Sequence, residues 1–237
     1  VEPTLMFIAN FGLKSFVQKA VMLAHLPLDY GVFHPYRALQ ARALADTADF
    51  VTASMPRALA FDTPKELLDH ALAAITLPGI VAEFGVNEGG SINHIAGRLK
   101  DRTIDGFDSF EGLPEDWHGN AMAAGYFSRG GKLPKVRPNV RLHAGWFSDS
   151  LPRFTATHAG PCAFIHVDCD LYSSTVSIFE GLRDRIVPGT VIVFDEYFNY
   201  PNWRAHEHKA FEEFIAATGM AFDYRAYSFK QVMVVMR

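Results

Sequence analysis

The chain has only two cysteines, Cys162 and Cys169, in 237 residues. They flank or lie within one apolar run and have no metal-like spacing, so they read as reduced core thiols of a cytosolic protein. No block of Lys or Arg stands out. The 22 basic residues face 26 acidic ones for a formal charge of −4, which leaves nucleic acid without an electrostatic footprint. No apolar run is long enough to span a membrane. Leu5-Met-Phe-Ile-Ala-Asn-Phe-Gly-Leu13 is short, Lys14 and Lys19 break up the segment after it, and no small-residue cleavage site marks a signal peptide. A start at Val1 implies residues lost upstream, which leaves a preceding targeting segment open. Internal repeats and low-complexity segments are also missing.

The glycine-bearing turn in Val81-Ala-Glu-Phe-Gly-Val-Asn-Glu-Gly-Gly-Ser91 is defined partly by what it lacks. It has no lysine, so it is not the phosphate loop of a nucleoside triphosphatase. Asn87 stands where a dinucleotide fingerprint needs its second glycine, so close approach of a pyrophosphate is not expected. What is present is an apolar strand running through a turn into a helix that begins near Ser91. Gly85 allows close approach of ligand and backbone, Gly89 and Gly90 permit conformations closed to other residues, and the helix start offers unpaired N–H groups. Such a turn is a place for a charged, nucleotide-like ligand; a plain tight turn is the alternative.

The length suits one substantial α/β domain with an N-terminal helical extension. Residues 1–78 read as helical, with helices at 13–26, 35–45 and 64–75 and no convincing strand. From residue 80 short apolar strands alternate with helices, which predicts a mostly parallel, buried sheet. Strands are expected at 80–86, 103–108, 140–143, 163–168 and 190–195, and helices at 90–99, 148–153 and 173–186. The Pro188-Gly189 turn leads into the fifth strand. A helix at 203–217 precedes two strands, 222–227 and 231–236, joined tightly enough to be an antiparallel hairpin.

Ligands bind beyond the carboxyl ends of the strands in an open parallel sheet. The residues expected there form a row of acids. Glu83 lies in the first strand, Asp108 ends the second, Asp168 and Asp170 follow the fourth, and Asp195 with Glu196 end the fifth. Asp108 sits about 20 residues beyond the glycine turn, where an acid accepts hydrogen bonds from both ribose hydroxyls; a turn or capping aspartate is the plainer reading. The four carboxylates of His166-Val-Asp-Cys-Asp170 and Val193-Phe-Asp-Glu196 would repel one another and raise each other's pKa. A hard divalent cation such as Mg²⁺ relieves that repulsion. The structural alternatives are that Asp170 caps the following helix and that Asp195 pairs with Arg204.

The loop Tyr197-Phe-Asn-Tyr-Pro-Asn-Trp203 is aromatic, polar and directly downstream of the acids, so Tyr197, Tyr200 and Trp203 are expected to wall a substrate, or else to cover the sheet edge. His206 and His208 read as solvated helix residues. Gly145-Trp-Phe147, past the third strand, is placed to contact an adenine, although Trp146 suits a core equally well.

Taken together, Glu83-Phe-Gly-Val-x-x-Gly-Gly-Ser91, Gly106-Phe-Asp-Ser-Phe-Glu-Gly-Leu-Pro114, Asp168-Cys-Asp-Leu-Tyr-Ser-Ser-Thr175 and Phe194-Asp-Glu-Tyr197 resemble the class I S-adenosylmethionine-dependent methyltransferases, specifically the macrocin and mycinamicin O-methyltransferase group. The resemblance covers roughly residues 78–237. It implies an α/β fold with a Rossmann-like, seven-stranded, mostly parallel sheet, an antiparallel last strand and helices on both faces. It also implies a cofactor-binding domain at 79–237. The helical residues 1–78 before it, which include Asp29-Tyr-Gly-Val-Phe-His-Pro-Tyr36, are expected to form a lid and part of the acceptor pocket or an oligomer contact, or else a cap with no ligand role.

For the site, the resemblance implies S-adenosylmethionine bound by Glu83, Gly85, Val86, Asn87, Ser91, Asp108, Ser109, Gly145, Trp146, Phe147 and Asp168. Mg²⁺ would be held by Asp168, Asp195 and Glu196, and Asp168 or Asp170 would take the proton from a hydroxylated small-molecule acceptor. The group carries Asp-Asp or Asp-Asn where this chain has Asp195-Glu196, and the longer glutamate moves its carboxylate outward. The lysine base of catechol-type relatives is absent, since Leu171 stands three residues beyond Asp168. Two other expectations stay open: a hydrolase or hydroxylase-like relative in cephalosporin-type biosynthesis, and a non-catalytic protein that keeps the nucleotide pocket.

Overall fold

The computed structural model describes residues 34–237. The expected helix at 13–26 and the segment 29–33 of the expected lid lie outside the described residues. The chain forms two compact units, Val1–Arg42 and Ala43–Arg237. The described part of the first is helical from Pro35 onward, as the opening of α1 (Pro35–Ser54).

The second unit contains, in order, the rest of α1, β1 (Leu59–Ala60), α2 (Pro64–Ala73), β2 (Ile80–Phe84), α3 (Gly90–Arg98), β3 (Ile104–Asp108), β4 (Val140–Ala144), α4 (Phe147–Thr157), β5 (Cys162–Val167), α5 (Tyr172–Leu182), β6 (Val191–Phe194), α6 (Glu207–Thr218), β7 (Phe222–Tyr227) and β8 (Val232–Met236). Short 3₁₀ turns follow α5 and precede α6. The fold is α/β and Rossmann-like. Its sheet has eight strands in the order β1-β7-β8-β6-β5-β2-β3-β4. All pairings are parallel except those of β8, which runs antiparallel to both β6 and β7.

The eighth strand is the departure from expectation. No strand is expected in residues 1–78, yet Leu59–Ala60 pairs with Ala226 and Tyr227 on the sheet edge. Two residues carry no period, so the pairing is invisible until β7 supplies the partner. α1 also runs to Ser54 rather than ending near Ala45.

The central strands are buried on both faces because their side chains alternate between two apolar layers. From β2, Ile80, Ala82 and Phe84 join one layer with Leu151 and Phe154 of α4, Ile178 and Phe179 of α5 and Phe211 of α6. Val81 joins the other, with Leu67 and Leu68 of α2 and Ile92 and Ile95 of α3. Local signals fix the helix ends. Thr63 accepts from the Glu66 N–H while Glu66 accepts from the Thr63 N–H, a reciprocal cap with Pro64 at the first helical position. No helix among the described residues is long and apolar enough to cross a membrane.

Candidate functional site

The strand order reverses between β2 and β5, which opens a crevice at the carboxyl edge of the sheet. Backbone hydrogen bonds continue the ladder one step past each strand end. Gly145 N–H donates to Asp108, Gly85 to Phe107, Asp168 to Phe84 and Asp195 to Val167, at 2.8–3.0 Å. These bonds draw residues remote in sequence into a single row. Over the row lies a cavity of about 550 Å³.

One end of the cavity is built from the glycine turn. Gly85 has φ +98°, and a Cβ there would sit 1.7 Å from the Asp168 carbonyl oxygen. The backbone of the next strand therefore demands glycine. Gly89 has φ +82° and begins α3, but Gly90 is an ordinary helical residue with open space where its Cβ would be, contrary to the expected special conformation. Asn87 holds φ +44°. The turn is braced by Asp108, whose carboxylate accepts from the N–H groups of Val86, Asn87 and Phe110 at 2.9, 2.7 and 2.6 Å. A carboxylate offers roughly four acceptor directions, so about one remains for an external donor rather than the two needed for both ribose hydroxyls.

Gly85, Asn87, Asp108, Ser109, Trp146, Phe147 and Asp168 line the cavity. Trp146 is 37 % exposed and not core. Glu83, Val86, Ser91 and Gly145 are not on the wall. Glu83 is fully buried in β2 and accepts from the Ser91 hydroxyl, which ties the strand to α3. Val86 is packed between β2 and α3, and Gly145 links β4 to Asp108. These residues shape the wall from behind it.

The other end gathers Asp168, Asp170, Asp195 and Glu196. Asp168, Asp195 and Glu196 each present an oxygen within 4.8 Å of the others. This all-oxygen donor set suits a hard divalent cation, and the Glu196 Oε2 atom is buried without a partner. Burial raises the Asp168 carboxyl well above the usual carboxylate range, reinforced by Asp195, Glu196, Asp170 and Glu83. Burial and then Asp195 push Asp170 up to about 7, against the opposing pull of Lys230. Asp170 also holds a left-handed backbone, φ +66°, in a buried position. Leu171, not Asp170, precedes α5 as its cap residue, and Arg204 pairs with Asp46 at 2.9–3.0 Å instead of Asp195.

Several groups at this end carry no recognisable sequence signal. Lys230, in the β7–β8 turn, lies 3.4 Å from Glu196, and Gln231 donates to Asp195 at 3.2 Å. His166 stands between Glu83 and Asp195 at 3.6 and 3.9 Å. Burial opposes charge on its ring, but Glu83 and Asp195 outweigh that and raise its pKa. Glu207, fully buried on α6, accepts from the Glu196 N–H at 3.1 Å. Only their neighbours on other elements make these residues part of the site.

The expected aromatic wall is not where the sequence suggests. Tyr197, Tyr200 and Trp203 are buried in the apolar layer and do not line the cavity. Tyr197 bonds the Tyr224 hydroxyl at 2.6 Å. The reason is the long β3–β4 connection, residues 109–139, which brings Leu113, Pro114, Trp117, Met122 and Phe127 over the crevice instead. Trp117 and Met122 pair in an isolated bridge, and the Trp117 ring meets Tyr200 edge-on at 5.6 Å, so Tyr200 stands behind it.

His206 and His208 are buried rather than solvated. His208 is enclosed by Phe50, Tyr197 and Trp203 with ring centroids 4.8–5.3 Å away. Burial, helped by Arg204, lowers its pKa to about 4. The unfolded chain would take up that proton near pH 6.5, so the His208 contribution is present above that pH and is lost as the pH falls toward 4. By that point it amounts to roughly 2–3 kcal/mol. Urea unfolding at stepped pH should show this loss in the parent and a flatter profile in His208→Phe; identical profiles would refute the assignment.

Residues 82–197 match the methyltransferase domain family. Two curated relatives are similar. One is the 8-demethyl-8-(2,3-dimethoxy-alpha-L-rhamnosyl)-tetracenomycin-C 4'-O-methyltransferase of Streptomyces olivaceus, 34 % identical over 51 % of this chain and 54 % of that protein. The other is the demethyldecarbamoylnovobiocin O-methyltransferase of Streptomyces niveus, 30 % identical over 53 % of this chain and 55 % of that protein. The chain thus spans about half the length of the curated relatives it matches. Among solved structures, the O-methyltransferase NovP superposes with a TM-score of 0.56 at 25 % identity, covering 73 % of this chain and 78 % of its own. The calicheamicin methyltransferase CalS11 shares the fold at 0.59 and 20 % identity, over 72 % and 77 %. Residues 82–197 thus match a methyltransferase domain in sequence, and the chain shares its fold with O-methyltransferases.

Proposed function

We propose that the chain is an S-adenosylmethionine-dependent O-methyltransferase acting on a hydroxyl of a small molecule, a sugar or a hydroxylated natural-product intermediate. The observation that carries this reading is one cavity that joins the Asn87–Asp108 turn to the Asp168–Asp195–Glu196 carboxylates across the switch point of the sheet. Bound there, the cofactor would supply a methyl group on a sulfonium sulfur, for transfer in which a C–O bond would form as the C–S bond broke. Asn87, Asp108, Ser109, Trp146 and Phe147 are the proposed wall for its nucleoside and amino-acid parts, with Glu83, Val86, Ser91 and Gly145 holding that wall in shape.

Such a transfer needs alignment and a deprotonated oxygen. Asp168 and Asp170 line the cavity and hold their protons more tightly than ordinary carboxylates, which suits groups that accept a hydroxyl proton near neutral pH. Asp168, Asp195 and Glu196 are the residues that would hold Mg²⁺, and a cation bound there supplies Lewis acidity that makes an acceptor hydroxyl easier to ionise. The apolar side chains of the 109–139 segment face the remaining volume and suit an acceptor with an apolar body. The similar proteins support this substrate class: one is named for 4'-O-methylation of a rhamnosyl tetracenomycin and the other for O-methylation of a novobiocin precursor.

Titration calorimetry with S-adenosylmethionine, followed by mass analysis of glycosylated and phenolic acceptors for a gain of one methyl group, tests the reading. No cofactor binding at about 1 mM would sink it. Asp108→Ala is expected to weaken cofactor binding about tenfold or more. It should also destabilise the fold by about 3 kcal/mol, because three backbone N–H groups lose their acceptor.

A further inference from the structure

Residues 230 and 231 place two donors on the two acids that β6 contributes to the cavity. The Lys230 ammonium stands 3.4 Å from Glu196 Oε1 and 5.5 Å from the centroid of the Tyr200 ring, while the Gln231 amide donates to Asp195 Oδ1 at 3.2 Å. Lys230 is itself part of the cavity lining. Glu207 accepts from the Glu196 backbone N–H, which pins the main chain of the residue while Lys230 meets its side chain. One cation therefore already faces Glu196, the longest arm of the carboxylate set that would hold a metal.

We propose that Lys230 is a tethered counter-cation of the acid triad, which competes with a divalent metal for the charge of Glu196. The inference rests on reading Asp168, Asp195 and Glu196 as the metal-holding set, but it does not depend on methyl transfer. A monovalent ammonium 3.4 Å from Glu196 offsets part of the repulsion between that carboxylate and its acidic neighbours, as a metal would. Its contact is with Glu196 Oε1, so a metal that takes that oxygen displaces it, and a metal that takes the unpartnered Oε2 still meets its charge. Lys230 is then a positioning residue: it sets how tightly the cluster takes a cation and where the Glu196 carboxylate points when no cation is there. The longer glutamate is matched to this partner, because its extra methylene carries the carboxylate toward the β7–β8 turn.

The test is calorimetric titration of the whole chain with Mg²⁺ and with Mn²⁺, without acceptor, for the parent, Lys230→Met and Lys230→Arg. Removing the charge in Lys230→Met should tighten metal binding by about tenfold or more, while Lys230→Arg, which keeps the charge, should stay near the parent. Equal or weaker binding by Lys230→Met would overturn the proposal. So would tightening in Lys230→Arg as large as in Lys230→Met. A measurement on the unmodified chain stands beside these variants: the ¹⁵N-lysine side-chain resonance of Lys230 should move as Mg²⁺ saturates the site, and a stationary signal at saturation would also overturn it. Because none of these readouts uses methyl transfer, a chain that takes metal as expected but methylates nothing would refute the proposed function and leave Lys230's role intact.

Discussion

Asp168→Asn is expected to raise the melting temperature in metal-free buffer at pH 8 while lowering methyl transfer by about a thousandfold. The two effects have one cause. Asp168 is surrounded by Asp195, Glu196, Asp170 and Glu83, and burial already disfavours its charge. A neutral isostere keeps its size and relieves the repulsion, which should stabilise the fold by about 1–2 kcal/mol, or roughly 3–6 °C for a chain of this length. The same change removes the proposed proton acceptor and proposed metal ligand from the cavity wall. Differential scanning calorimetry and single-turnover transfer read the two effects separately. A lower melting temperature would show that the carboxylates are not in net conflict, and undiminished transfer would remove Asp168 from the chemistry.

Gly85→Ala carries the largest penalty expected at any glycine among the described residues. The added Cβ would lie 1.7 Å from the Asp168 carbonyl oxygen, at a φ of +98° that L side chains rarely adopt. Both obstacles are backbone, so no side chain can swing aside. Relieving them means separating β2 from β5 at the switch point, which also breaks the Asp168-to-Phe84 hydrogen bond. A loss of more than about 4 kcal/mol is expected, with cofactor binding abolished in whatever protein remains folded. Gly90→Ala, five positions on, is the control. Its Cβ meets nothing within 4 Å inside α3, so it should be neutral or stabilise by up to about 1 kcal/mol. Urea denaturation of the pair decides the matter: similar stabilities would mean that the turn tolerates a side chain where the geometry forbids one.

The contrast between these glycines marks what can be read from sequence. Gly85, Gly89 and Gly90 look alike as letters in a turn, and only the approach of the β5 backbone distinguishes the first from the last. The alternating order of strands and helices is legible because buried parallel strands are near-continuous apolar runs, as Val81-Ala-Glu-Phe84 and Cys162-Ala-Phe-Ile-His-Val167 show. Asp168 and Asp195 are legible for a related reason: each follows directly on such a run, so a strand end and a charge coincide in the chain. Leu59–Ala60 carries no such signal, and neither does the 109–139 segment, which has no period to announce that it covers the crevice.

Tyr197, Tyr200 and Trp203 fail as substrate contacts because nearness in sequence to Asp195 and Glu196 is not nearness to the open side. The chain turns inward after Glu196. Tyr197 meets Phe194, Phe211 and Tyr224, and Trp203 meets Phe50 and His208. Large rings beside a buried strand gain more from that layer than from a solvent-facing wall.

The chain by itself determined the alternation of strands and helices, the glycine turn and the acids at the strand ends, because each depends on residues adjacent or nearly adjacent in the sequence. The tertiary structure decided which of them share a cavity and what partners they have. Asp108 is engaged by three N–H groups, two of them from the glycine turn, Glu196 is faced by a lysine 34 positions away, and Gly85 is required by a carbonyl on the neighbouring strand. Those relations are set by strand order and register, which bring together groups that no local pattern connects.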